Sequence, residues 1–97
     1  MAESNYPRIK PSGGQTISVT STSAKATNAA PMGVTGFSIK CDQECYVRTG
    51  LTDDAATTSD YHIEADTVLF LGINPDEYVH AIRDSADGTA RIHWLLK

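Results

Sequence analysis

No run of apolar residues in this chain is long enough to cross a bilayer as a helix. The longest, Val68-Leu69-Phe70-Leu71, continues only through Gly72 to Ile73, far short of the roughly 20 residues such a span needs. The opening residues, Met1-Ala2-Glu3-Ser4-Asn5, offer neither a basic start nor an apolar stretch. No secretory signal is visible there, and synthesis in the cytosol is expected. Strong helix formers never gather with apolar residues three and four apart, so no segment competes as a helix. Cysteine is scarce: Cys41 and Cys45 are the only two. Their spacing suits neither a zinc site nor a redox pair. They read as two small buried side chains, or as a disulfide within or between chains formed outside the reducing cytosol.

Catalytic signatures are missing too. No serine lies in a Gly-x-Ser-x-Gly elbow, no glycine loop is built to cradle a phosphate, and neither cysteine has a catalytic context. No Asp or Glu sits in an apolar setting that would raise its pKa for acid–base work. Asp53, Asp54 and Asp60 fall in one polar stretch, but without the alternating oxygen ligands and central glycine of a calcium loop. His80 and His93 would face each other if the last hairpin turned about Ala86-Asp87, with His62 or Glu64 as a third ligand. Each is nonetheless flanked by β formers and reads more simply as an ordinary strand residue. No enzyme, metal or cofactor is expected.

Charge is short of one sign in most of the chain. Net charge is −4. Residues 1–40 hold Arg8, Lys10, Lys25 and Lys40 against Glu3, a balance of +3, while residues 41–97 hold four bases and eleven acids, a balance of −7. Nucleic acid binding needs clustered Lys and Arg, and the acidic body argues against it.

What is present is β signal and turns. At 97 residues the chain has room for one small domain. Ile17 and Val19 alternate with Thr16, Ser18 and Thr20, the period of two of a half-buried strand. Ala24 and Ala26 suggest a short second strand. Phe37, Ile39 and Cys41 share a face and lead through Asp42-Gln43-Glu44 into Cys45-Tyr46-Val47, which reads as a hairpin. Gly50 to Asp60 reads as an exposed loop. Tyr61 to Glu64 is a short strand, and Thr67 to Ile73, apolar on both sides, reads as a central one. Asn74-Pro75-Asp76-Glu77 is a turn. Tyr78 to Arg83 and Thr89 to Leu96 follow as strands about Ser85-Ala86-Asp87-Gly88, where Gly88 is free to take positive φ. The fold class is all-β: a small β-sandwich or jelly-roll-like barrel of seven or eight short antiparallel strands. Phe37, Ile39, Val47, Val68, Phe70, Ile82, Ile92 and Trp94 are its expected core.

Residues 1–14 stand apart. Pro7, Pro11, Gly13 and Gly14 surround only Tyr6 and Ile9 as sizeable apolar groups. They read as an extended N-terminal arm ahead of a single domain at 15–97, ordered by a partner rather than by its own domain.

The order of features over residues 15–97 resembles small virion proteins of tailed bacteriophages and prophages. The shared elements are the Ser/Thr/Ala-rich strand Ile17-Ser18-Val19-Thr20-Ser21-Thr22-Ser23-Ala24 and the step Cys45-Tyr46-Val47-Arg48-Thr49-Gly50. The loop Asp53-Asp54-Ala55-Ala56-Thr57-Thr58 and the turn Ser85-Ala86-Asp87-Gly88-Thr89 complete them. The two cysteines, Trp94 and the polar, charged arm depart from that pattern. The resemblance implies a β-sandwich that decorates or cements the capsid, located in the virion. Its expected partners are the major capsid protein, copies of itself as a homo-oligomer on the particle, or both. Tyr6, Arg8, Ile9 and Lys10 are the expected partner-binding residues. The alternative is a carbohydrate- or receptor-binding sandwich of a tail or fibre, with Tyr46, Tyr61, Tyr78 and Trp94 as candidate platform aromatics.

Overall fold

The computed structural model describes residues 8–96 and contains eight strands. They are β1 (Arg8–Val19), β2 (Ala24–Lys25), β3 (Val34–Cys41), β4 (Cys45–Gly50), β5 (Tyr61–Ile63), β6 (Leu69–Gly72), β7 (Tyr78–Arg83) and β8 (Gly88–Leu96). Two antiparallel four-stranded sheets pack face to face: sheet I in the order β1-β8-β3-β6 and sheet II in the order β2-β7-β4-β5. The fold is therefore an open β-sandwich and not a closed barrel.

Only β4 and β5 are both consecutive and in one sheet; every other connection crosses between the layers. This corrects two expected hairpins. β3 and β4 lie in different sheets, joined by an arch at Asp42–Glu44, and β7 and β8 are likewise joined by an arch over 84–87. Gly88 has no positive φ; Gly33 is the glycine that does, at 88°. Gly88 instead opens β8 where the Asp42 carboxylate would collide with any Cβ. That carboxylate accepts the Thr89 N–H at 2.8 Å, and Asp84 N–H donates to the Glu44 carbonyl at 3.1 Å, so the two arches brace each other at one end of the sandwich.

Strand alternation delivers the core. Ile17 and Val19 from β1, Phe37, Ile39 and Cys41 from β3, and Ala90, Ile92 and Trp94 from β8 all point inward from sheet I. Cys45, Val47, Ile63, Val79 and Ala81 meet them from sheet II. Phe37 and Trp94 are direct cross-strand partners, with rings edge to face at 6.5 Å and 86°, an arrangement worth about 0.5–1.5 kcal/mol beyond area burial.

Three expected core residues are not core. Ile82 is only half-buried, while Val68 and Phe70 are 52% and 61% exposed. The apolar run that holds Val68 and Phe70 leads into β6, an edge strand of sheet I rather than a central one. Leu69 and Leu71 pack on the core, and Phe70 faces the uncovered outer side.

The expected arm also needs redrawing. Arg8 and Ile9 pair with Leu96 and Leu95, and Gly14 pairs with His93, so residues 8–14 run within β1. The register slips between Ile9 and Gly14, leaving 10–13 opposite Trp94 alone, where Pro11 and Gly13 suit an irregular edge. Tyr6 and the rest of 1–7 lie outside the described residues. The turn at Asn74–Glu77 forms as read: Glu77 N–H donates to the Asn74 carbonyl at 3.2 Å, and Asp76 takes φ 70°.

Candidate functional site

The outer face of sheet I is the part of the surface where side chains of several kinds converge. Residues directly opposite on antiparallel strands project to the same side, so the register maps this face row by row. One row runs Thr16, Arg91, Lys40 across β1, β8 and β3. The next runs Gly14, His93, Ser38, Phe70 and reaches β6. A third begins with Ile9 opposite Leu95. The face thus has a cationic centre, with exposed apolar groups at both edges: Ile9 at 61% on β1, and Phe70 with neighbouring Val68 on the β6 side.

The centre is electrostatically unusual for an acidic chain. Lys40 and Arg91 stand directly opposite each other, and like charges in that position repel. Neither joins an ion pair among the described residues. Two shallow clefts flank Arg91. One of about 260 Å³ lies between Lys40, Asp42, Asp66, Thr89 and Arg91. The other, of about 230 Å³, is lined by Gly14, Gln15, Thr16, Arg91 and His93. Both fall below the roughly 300–1,000 Å³ of drug-sized ligand sites. Gly14 lets the His93 ring lie against the β1 backbone, since a Cβ there would stand 2.8 Å from Nε2.

The sequence-based site residues divide. Ile9 lies on this face, Arg8 and Lys10 belong to the same strand, and Tyr6 is not described. Phe70, Lys40, Arg91 and His93 were missed as site residues. The sequence signal for Phe70 is an apolar run with no polar alternation, a pattern that a buried central strand shares.

The histidines do not gather. His80 is on sheet II, 3% exposed, opposite Arg48 and Lys25 and so on the side away from the apolar core, with Nε2 at 2.8 Å from the Leu51 carbonyl. His93 is on the opposite sheet. The acids of the 51–60 loop serve its own turns: Asp54 accepts from Leu51 N–H at 2.8 Å, and Asp60 accepts from Thr57 N–H and pairs with Arg48 at 3.0 Å. Those bonds, the Thr57 amide first and then the Arg48 guanidinium, hold the Asp60 carboxyl below the usual carboxylate range.

A different group converges on the rim of sheet II. Ligand atoms of Glu44, His62 and Asp84 all lie within 4.8 Å of one another, on three exposed side chains. His62 Nε2 is 2.9 Å from Glu44 Oε1, and the Tyr46 hydroxyl donates to Asp84 Oδ1 at 3.0 Å. The Tyr46 and His62 rings are tilted against each other at 5.2 Å. The bond to Asp84, with lesser help from desolvation and from the Asp84 and Glu44 charges, pushes the Tyr46 hydroxyl above its ordinary pKa.

Comparison with protein-family models, with curated proteins and with solved structures returned no match to this chain.

Proposed function

We propose that this protein is a structural virion protein that binds and stabilises the capsid surface of a tailed bacteriophage, with the outer face of sheet I as its docking surface. The observation that carries the reading is the exposed Phe70 and Val68 beside an unpaired Lys40–Arg91 pair. Exposed apolar side chains that adjoin one another beside polar groups mark protein–protein contact, and Val68 and Phe70 stand two residues apart on the β6 side. Lys40 and Arg91 form no ion pair among the described residues, although Asp42 and Asp66 line the same cleft. An acidic partner would relieve their repulsion, favour encounter and fix orientation. The capsid subunit, a neighbouring copy with its acidic body, or both would supply it. The resemblance to small phage virion proteins supplies the setting.

The carbohydrate-binding alternative loses one of its aromatics, since Trp94 is 4% exposed. Tyr78 is half-buried, with the Lys25 ammonium 4.3 Å over its ring. Tyr61, at 57% exposure, stands at the β5 edge.

The test is co-sedimentation of the purified protein with capsids lacking it. Binding at fixed stoichiometry is expected, and it should be lost in a Phe70→Ser, Arg91→Glu double variant that still folds. Absence of binding by the parent protein, combined with a glycan-array signal, would transfer the assignment to the carbohydrate reading.

A further inference from the structure

We propose that Glu44, His62 and Asp84 form a binding site for a single divalent transition-metal ion of the zinc type. The donor set is one imidazole nitrogen and carboxylate oxygens from two side chains, all within 4.8 Å of one another. Imidazole separates this set from a plain acidic cluster: calcium and magnesium take oxygen ligands, whereas nitrogen with carboxylate suits zinc and its neighbours. Three protein ligands leave room for water in a tetrahedral shell, the arrangement of open zinc sites.

The three ligands come from separate segments. Glu44 lies in the β3–β4 arch, His62 on β5, and Asp84 in the arch that follows β7. The fold brings them together through ties that do not depend on the ligand atoms alone. Tyr46 and His62 are register partners on β4 and β5, and the Asp84 N–H donates to the Glu44 carbonyl. Tyr46 then acts on two ligands at once, by a hydrogen bond to Asp84 Oδ1 and by ring contact with His62. Such outer groups orient metal ligands and hold their rotamers.

In the arrangement described, His62 Nε2 lies against Glu44 Oε1. A metal ion entering between them would take Nε2 of the neutral imidazole as a ligand, with the ring's single proton on Nδ1. The ion would tie both arches to the β5 edge and offset the charge of two neighbouring carboxylates.

The experiment is thermal unfolding of the untagged full chain in chelator and in zinc, with titration calorimetry for stoichiometry. At a zinc concentration about five times the dissociation constant, the midpoint should rise by roughly 4–8 °C for a domain of this size. Calorimetry should give one ion per chain, and calcium should produce no comparable shift. His62→Ala removes only exposed contacts with Tyr46 and Glu44, so it should lower the midpoint in chelator by a few degrees at most, and it should lose the zinc response. His93→Ala, on the other sheet, should keep that response. No zinc shift in the parent at millimolar concentration would overturn the proposal. So would a shift that survives His62→Ala, or one that calcium reproduces in full. Because the readout is metal-dependent stability and no capsid is involved, the result is independent of the docking assignment.

Discussion

At the scale of single residues, two aromatics of similar size have opposite roles. Trp94 sits inside, edge to face with Phe37, and Phe70 lies on the surface of an edge strand. Trp94→Ala leaves a cavity and should cost about 3–5 kcal/mol. Phe70→Ala leaves none and should shift stability by no more than about 0.5 kcal/mol. Urea denaturation of the two variants beside the parent checks both values. Equal losses would place Phe70 in the core after all.

The cysteines carry a second residue-level expectation. Both are 0% exposed where β3 arches into β4. Burial first, then the neighbouring Cys41 thiol, pushes the Cys45 pKa up to about 12. In the unfolded chain the thiol ionises at ordinary values, near 9.0. The folded state therefore holds the proton more tightly, and its advantage is whole below about pH 9 and fades as pH climbs toward 12. Stability measured across that alkaline window should fall more steeply in the parent than in Cys45→Ala. A parallel decline in both would assign the alkaline loss to other groups. The protonated, enclosed thiol should also resist alkylation until the chain unfolds.

At the scale of elements, β1 and β6 are the two edges of sheet I, and both depart from what the sequence suggests. The prolines and glycines between Pro7 and Gly14 argue against regular structure, yet β8 is long enough to pair with both ends of that irregular stretch. Deleting residues 1–14 removes the pairing of Arg8, Ile9 and Gly14 but spares Gln15–Val19, which face Ile92 to Gly88. The truncated protein should stay folded with a lower melting midpoint. An unchanged midpoint would show that the added length of β1 contributes no stability. For β6, apolar residues on both faces suggest a strand covered on both sides. Its four residues instead have a neighbour on one side only, β3, and an open outer surface. Exposed apolar edges favour association with another chain, and that is the physical basis for assigning β6 to the docking face.

At the scale of the whole molecule, charge is distributed against the net value. The chain is acidic overall at −4, while the middle of one sheet face presents Lys40, Arg91 and His93. If that face meets an acidic partner, charge reversal should weaken attachment far more than it weakens the fold. Lys40→Glu with Arg91→Glu should retain the parent's melting midpoint within a few degrees, since exposed charges contribute about 0–1 kcal/mol each. Capsid binding should become markedly weaker and lose its dependence on salt. Full binding by this variant would move the docking surface elsewhere on the molecule.

The local pattern determined a good deal by itself. Alternation of Ile17 with Val19, of Phe37 with Ile39, and of Ala90, Ile92 and Trp94 chose the inward face of three strands, because a period of two has only two outcomes. The Asn74–Glu77 turn was equally legible, since proline fixes one φ and the residue after it accepts a positive one. Which strands become neighbours is another matter. The short links at Asp42–Glu44 and 84–87 are compatible with a hairpin or with an arch between layers, and local sequence does not distinguish them. Packing two sheets so that both apolar faces are covered selected the arches. That choice separated His80 from His93, brought Glu44, His62 and Asp84 together, and set Lys40 opposite Arg91. It also left Phe70 outside, because a side chain is buried only where a second layer lies over it, and no neighbouring residue in sequence reports whether that layer exists.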